Sequence, residues 1–266
     1  MTRDTDSPVL FAQEAGVRTL KLNRSERRNA MDAAMDARLR TLVAEANGDA
    51  ACRVIVVTGA GSAFCSGADR SASTAPAQEG DDWDLVPDSI ARSRFAYLLE
   101  SRKPVIAAIN GPAVGVGLVL ACCCAVRIVA DNARLQFPYV QLGLVAEYGI
   151  AKLLADLIGQ SRATELLLSG RPFDGAEAGR IGLAQHCVAA DALAGFTRDY
   201  ASNLAAKASP RSLRVIQEQL RRSSGQSLQQ ALAAAGTALR EARASSDYHE
   251  AKAAAAARRP ALFTGS

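Results

Sequence analysis

"KPVIAAINGPAVGVGLVLACCCAVRIVAD", residues 103–131, is the stretch on which the fold turns. Its apolar run is long enough to suggest a membrane span, but Asn110, Gly111 and Pro112 interrupt it, and Gly115 and Gly117 follow. Breakers at that density mark a turn rather than a spanning helix. The stretch therefore reads as a buried strand, "KPVIAAING", a glycine turn, a buried helix carrying the cysteines, and a second strand, "RIVAD". Strand, turn, helix and strand in that order form the repeating unit of an α/β protein.

The same pattern extends upstream. "VLFAQEAGVRTLKLN" predicts two short strands around a turn at Glu14–Gly16. "NAMDAAMDARLRTLVAEANGD" predicts a helix whose apolar face holds Met31, Met35, Leu39, Leu42 and Val43 and which ends at Asn47-Gly48. "CRVIVVTGAG" is a buried strand running into a glycine turn, and "RFAYLLESR" reads as helical. The polar segment 71–92 reads as a mobile loop over a site. "RLQFPYV" is extended. Downstream, "IAKLLADLIG", "SRATELLLSG" and "FDGAEAGRIG" predict three helices, and "LAQHCV" predicts a strand. From about residue 192 the chain reads as helical throughout, and "SDYHEAKAAAAARR" predicts a capping box from Asp247 to Glu250. The expectation is a core over 1–191 and a helical region over 192–266.

The totals are those of a globular enzyme: 266 residues, 49% hydrophobic, 22% charged, net charge +4. The basic residues are dispersed, so nucleic acid is not the expected partner. The first residues, "MTRDTDSPVL", hold no apolar run, which predicts no signal peptide, no membrane association and a cytoplasmic location. Three of the six cysteines, Cys122, Cys123 and Cys124, are consecutive. Neighbouring helical side chains diverge by about 100°, so these three cannot converge on one ion. With only His186 and His249 besides, no metal is expected, and the thiols read as small buried hydrophobes.

Two glycine turns carry the chemistry: "GAGSAFCSGADR", 59–70, and "NGPAVGVG", 110–117. Each follows a buried strand. The second opens a helix, whose first N–H groups lack intrahelical partners and favour negative charge. Two such N–H groups aimed at one point would form an oxyanion hole. By pattern alone, a glycine turn after a strand is usually only a turn. A dinucleotide fingerprint, a P-loop lysine and a G-x-S-x-G elbow are all missing.

"NRSERRNAMD", "GAGSAFCSGADR", "INGPAVGVGL", "LQFPYVQLGLVAEYG" and "LLLSGRPFDGAEAGRIGLAQHCV" occur in this order and at matching spacing. Together they resemble the crotonase (enoyl-CoA hydratase/isomerase) superfamily, from about residue 8 to the closing "RRPALFTG". The resemblance implies an α/β fold, a spiral of ββα units, with a helical C-terminal region that mediates trimerisation, trimers pairing into hexamers. It implies an acyl-CoA thioester substrate, with coenzyme A entering as part of that substrate and no tightly bound cofactor. It places the oxyanion donors on Ala68 and Val116. It places CoA contacts at Arg27, Arg28, Ala30 and Arg70, beside Ala68, Asp69 and Val116, with Asp69 turned away to organise its loop. Lys252, Arg258 and Arg259 could reach CoA from the C-terminus or simply suit a helix end.

The resemblance also exposes two substitutions. Hydratases of the family carry one glutamate on the helix after the second turn and another after the proline that follows. Here those positions are Val119 and Tyr139. Valine exchanges no proton, and a phenol with an ordinary pKa of about 10 is a poor base at neutral pH. Glu147, in "GLVAEYG", lies where some family isomerases place a catalytic glutamate. One carboxylate suffices to move a proton between two carbons. The expectation is double-bond isomerisation or related lyase chemistry through Glu147. The alternatives are a CoA-binding or assembly protein without catalysis, in which Glu147 is a solvated loop acid, and a hydratase using other acid–base groups.

Overall fold

Parallel strands covered on both faces need unbroken apolar runs. Two segments supply them, β3 (Val54–Gly59) and β4 (Val105–Ile109), and every residue of β4 is buried. The computed structural model describes residues 6–69 and 89–266. Its larger sheet has six strands in the order β1-β2-β3-β4-β6-β9. The outer hairpin of β1 (Val9–Glu14) and β2 (Val17–Leu22) is antiparallel. Every later pairing in that sheet is parallel, including β6 (Val126–Ala130) and the edge strand β9 (His186–Val188).

A second layer runs beside it. β5 (Ala113–Val114), β7 (Arg134–Gln136) and β8 (Phe173–Asp174) form a small sheet. Single bridges extend it to Cys65, which pairs with Ala113, and then link Ala68 with Met31. The chain thus alternates between the large sheet, the small layer and a helix. β4, β5 and α2 (Val116–Cys122) make one such turn, and it leads directly into β6. This is the α/β spiral of ββα units that the family resemblance implied. All seven residues of α2 are buried, so this helix is part of the core rather than a cover for it.

The remaining helices flank these layers. α1 (Ala33–Gly48) packs on β1 and β2 through Met35, Leu39, Leu42 and Val43, and Asp32 caps it by accepting from Met35 N–H at 2.8 Å. α3 (Ile150–Ile158) and α4 (Gln160–Ser169) pack on each other, and α5 (Gly175–Arg180) precedes β9. α6 (Leu193–Lys207) lies against β3, β4 and β6. α7 (Pro210–Ser223), α8 (Leu228–Arg243) and α9 (Ser246–Ala256) complete a C-terminal helical bundle. Neither α7 nor α8 contains a buried residue.

Three local expectations are corrected. Residues Ala96–Glu100 form a 3₁₀ turn rather than an α-helix. Asp247 does not cap α9: Ser245, two residues earlier, accepts from Tyr248 N–H. The Asp247 carboxylate instead accepts from Ser209 Oγ at 2.5 Å and from the tail amides of Thr264 and Gly265. The capping box belongs to α8, between Ser227 and Gln230. Finally, Cys187 is exposed on the edge strand, whereas the other five cysteines are buried. The proposed loop over the site lies outside the described residues for 71–88. No helix among the described residues is long and apolar enough to cross a membrane.

Candidate active site

Two left-handed glycines build the site. Gly67 has φ +112° and Gly115 has φ +51°, conformations that side-chain-bearing residues rarely adopt. Ala68 and Val116 follow them. The Met31 N–H donates to Gly67 O at 2.8 Å, and the Asp69 N–H donates to Met31 O at 3.0 Å. These bonds use the groups flanking Ala68 and leave its own N–H facing the other way, as alternation along a strand requires. Val116 is the first residue of α2, with Gly115 at the N-cap bonded to Gln136 O at 3.0 Å. Among the described residues no backbone acceptor takes the N–H of Ala68 or of Val116.

The two turns are held against each other by close backbone packing. A Cβ on Gly117 would stand 2.3 Å from Cys65 O, so only glycine allows α2 to sit this near the first loop. Both donors line one cleft of about 460 Å³. Its walls include Arg27, Ala30, Asp69, Tyr139, Glu147 and Tyr148. The structure therefore brings Ala68, Val116 and Glu147 together from segments 31 to 79 residues apart in the chain.

The acids of the cleft differ. Asp69 is tied to Arg24, whose Nη2 donates to it at 2.8 Å, and Arg24 also donates to Ala30 O at 2.7 Å. Glu147 is half-buried and forms no ion pair among the described residues. Burial raises its pKa above the ordinary carboxylate value, and the Arg94 charge opposes that rise. Val119 is fully buried in α2. Tyr139 is 3% exposed, and burial pushes its phenol well above the ordinary value, so it stays protonated. Its hydroxyl is enclosed without a hydrogen-bond partner among the described residues.

The arginines are divided. Arg27 lies on the cleft wall and is exposed; Arg28 is exposed beside it but does not line the cleft. Arg70 lies outside the described residues. Arg259 is engaged with Glu250 at 2.6 Å, and neither it nor Lys252 nor Arg258 lines the cleft. Burial raises the thiols of Cys122 and Cys124 to about 12 and that of Cys65 to about 11, which leaves them inert at neutral pH. Among the described residues no cluster of three or more His, Cys, Asp or Glu could hold a metal.

Sequence reasoning missed two residues behind this cleft, Asp36 and Arg94, and the contact they make with Tyr148 on its wall. Asp36 and Arg94 form a buried ion pair at 2.6 Å, and Arg94 Nη1 donates to the Tyr148 hydroxyl at 3.0 Å. Asp36 occupies the buried side of an amphipathic helix, and an acid at a core position is the one signal that pointed to a hidden partner.

The family model described as "Enoyl-CoA hydratase/isomerase" matches residues 12–266. A relative named "Probable enoyl-CoA hydratase echA6" from Mycobacterium bovis is 40% identical over 159 residues, covering 60% of this chain and 62% of its own length. The chain thus spans less than two thirds of that relative. A "Probable enoyl-CoA hydratase echA12" from Mycobacterium leprae is 38% identical over 71% of this chain and 66% of its own length. Among solved structures, a "probable enoyl-CoA hydratase/isomerase" from Mycobacterium abscessus superposes with a TM-score of 0.88 at 31% identity, covering 97% of this chain and 99% of that one. An enoyl-CoA hydratase from Bacillus anthracis superposes with a TM-score of 0.90 at 26% identity, covering 97% and 100%. The ββα spiral, the helical C-terminal bundle and a family match that runs through both lead to one conclusion: the chain belongs to the enoyl-CoA hydratase/isomerase family, within the crotonase superfamily.

Proposed function

We propose that the protein binds an acyl-CoA thioester, stabilises its enolate with the N–H groups of Ala68 and Val116, and moves one proton with Glu147. The reaction class is double-bond isomerisation or related lyase chemistry. The observation that carries this reading is that Glu147 is the one carboxylate on the described cleft wall without an ion pair, on the same cleft as both donors. In a 3-enoyl thioester the Glu147 carboxylate takes a proton from C2. The electron pair delocalises onto the thioester oxygen between the two N–H groups, and the same carboxyl returns the proton to C4. Water addition needs two positioned acid–base groups, and Val119 and Tyr139 stand where the family's hydratases carry them.

Support for CoA binding comes from Arg27 and Ala30 on the cleft wall, with Arg28 beside them; Arg70 belongs to the same proposal. Assembly into a trimer or a pair of trimers is supported by the exposed Ile216, Leu220, Leu228, Leu232 and Leu239 of α7 and α8, more apolar surface than two bundle helices leave uncovered in a monomer. A cytoplasmic location is part of the same reading. The substitutions at Val119 and Tyr139 equally favour a second reading, a CoA-binding protein without turnover.

The test is a panel of 2-enoyl-, 3-enoyl- and 3-hydroxyacyl-CoAs with product identification. The expected result is 3-enoyl to 2-enoyl conversion, lost by about 10²–10⁴-fold in Glu147→Gln with CoA binding retained. Undiminished turnover in Glu147→Gln would refute the assignment. Tight CoA binding with no turnover of any panel member would establish the second reading.

A further inference from the structure

The Asp36–Arg94 pair has no part in the mechanism above, yet it is placed directly behind the cleft. Asp36 is 0% exposed and Arg94 8%. Removing two charges from water is unfavourable unless geometry compensates, and a buried pair is weak evidence for a purely stabilising role. The pair joins α1 to the segment before β4, and its third member is a residue of the cleft wall. Arg94 Nε donates to Asp36 Oδ2 at 2.6 Å, and Arg94 Nη1 donates to the Tyr148 hydroxyl at 3.0 Å. The Tyr148 ring also packs edge-on against Phe95, with centroids 5.8 Å apart.

Tyr148 adjoins Glu147 and stands in a strained conformation. Its φ is +53°, unusual for a bulky residue, and Gly149 follows at +71°. These two left-handed residues form the turn that leads from Glu147 into α3. Gly149 is the N-cap of α3 and has no side chain to close the turn. Within the turn the Ile150 N–H donates to Glu147 O at 3.0 Å. The anchor supplied from outside is the Tyr148 side chain, held by Arg94 and Phe95.

We propose that Arg94, fixed by Asp36, is a positioning residue for Glu147: it grips the Tyr148 hydroxyl, holds the left-handed turn and so aims the Glu147 carboxylate into the cleft. The proposal rests on the reading of Glu147 as the proton-transfer group. Arg94 acts on Glu147 in two ways, through the Tyr148 tether and through its charge, which favours the ionised carboxylate. Among the described residues, the other ionisable groups around Glu147 are Tyr139, from the turn after β7, and Tyr148 itself. On the cleft wall, Asp69 is bound by Arg24, and Arg27 is exposed. Among the described residues, Arg94 is thus the cation placed to set the acidity of Glu147 as well as its position.

The experiment follows exchange of the α-protons of hexanoyl-CoA in D₂O by NMR, over a pH series, with the full-length protein. Hexanoyl-CoA needs only the hole and the base, so the natural acyl group need not be known. Tyr148→Phe keeps the ion pair and removes the tether. It is expected to lower the saturated exchange rate by about 10²-fold, the scale of a misplacement of about 1 Å, while half-saturation and the acidic limb stay in place. Asp36→Asn with Arg94→Gln removes both charges of the pair together. It is expected to lose a similar factor in rate and to move the acidic limb to higher pH. A merely structural role for the pair would lower thermal stability and leave that limb unmoved. Wild-type rate and limb in the folded double variant overturn the proposal. Should that variant not fold, wild-type exchange in Tyr148→Phe overturns it. Wild-type exchange in Glu147→Gln, or none in the parent protein, overturns the functional reading instead.

Discussion

Gly117→Ala adds one methyl group at the point where the two glycine turns meet. That Cβ would stand 2.3 Å from Cys65 O, 2.7 Å from Cys65 Cβ and 2.8 Å from Cys65 Sγ. Two of these atoms cannot rotate away. Carbon approaches a carbonyl oxygen to about 3.3 Å, so α2 and the first loop must part by about 1 Å. Gly117 adjoins Val116, and Cys65 lies three residues before Ala68, so the separation falls between the two N–H donors. An error of about 1 Å in a reacting geometry costs about 10²-fold in rate. Overpacking a close-fitted core costs about 1–3 kcal/mol, and for a chain of this size each kcal/mol lowers Tm by about 2–4 °C. The assay pairs thermal denaturation with α-proton exchange of hexanoyl-CoA. Gly48→Ala is the control, because its Cβ meets nothing within 4 Å and its φ is not left-handed. The expected result is that Gly117→Ala loses rate by a larger factor than binding of free CoA, whereas Gly48→Ala changes neither. Wild-type exchange in Gly117→Ala would show that the spacing of the turns does not set the hole.

Val116→Pro removes one donor N–H at the first helical position, where proline is tolerated by the backbone. Thioester binding should weaken relative to free CoA, and an unchanged ratio by calorimetry counts against Val116 as a donor. The rate should rise with pH along an acidic limb displaced upward from the ordinary glutamate value, because burial raises the Glu147 pKa and only the ionised form accepts a proton. A limb below that ordinary value in the pH–rate profile contradicts the assignment. In the native protein a thiol reagent should label exposed Cys187 first and leave Cys65, Cys122, Cys123 and Cys124 unreacted until unfolding. Mass spectrometry of the labelled peptides checks this, and early modification of the 122–124 run would refute the buried assignment of α2.

Local order was written plainly in the chain. The strand at 105–109, its glycine turn and the buried helix after it needed no distant information, because apolar runs and glycine conformations are properties of neighbouring residues. The same holds for the β1–β2 hairpin and for α1. The capping of α9 was misread because two nearby acceptors compete there. Ser245 satisfies the helix, and Asp247 is taken by amides from the chain's end, 17 and 18 residues on.

By itself the sequence determined the alternation of strand, turn and helix and the glycines of the two turns; its resemblance to the family implied the two backbone donors and the valine and tyrosine in place of two acids. Tertiary structure decided which acid is tied to a cation and which lines the cleft without one. Asp69 and Glu147 are both loop acids in the sequence; folding ties one to Arg24 and leaves the other on the cleft wall without an ion pair among the described residues. The Asp36–Arg94–Tyr148 chain joins residues 58 and 54 positions apart. Periodicity speaks only of a residue's own helix or strand, whereas an ion pair and the burial that raises a carboxyl's pKa arise only when separate elements close on one another.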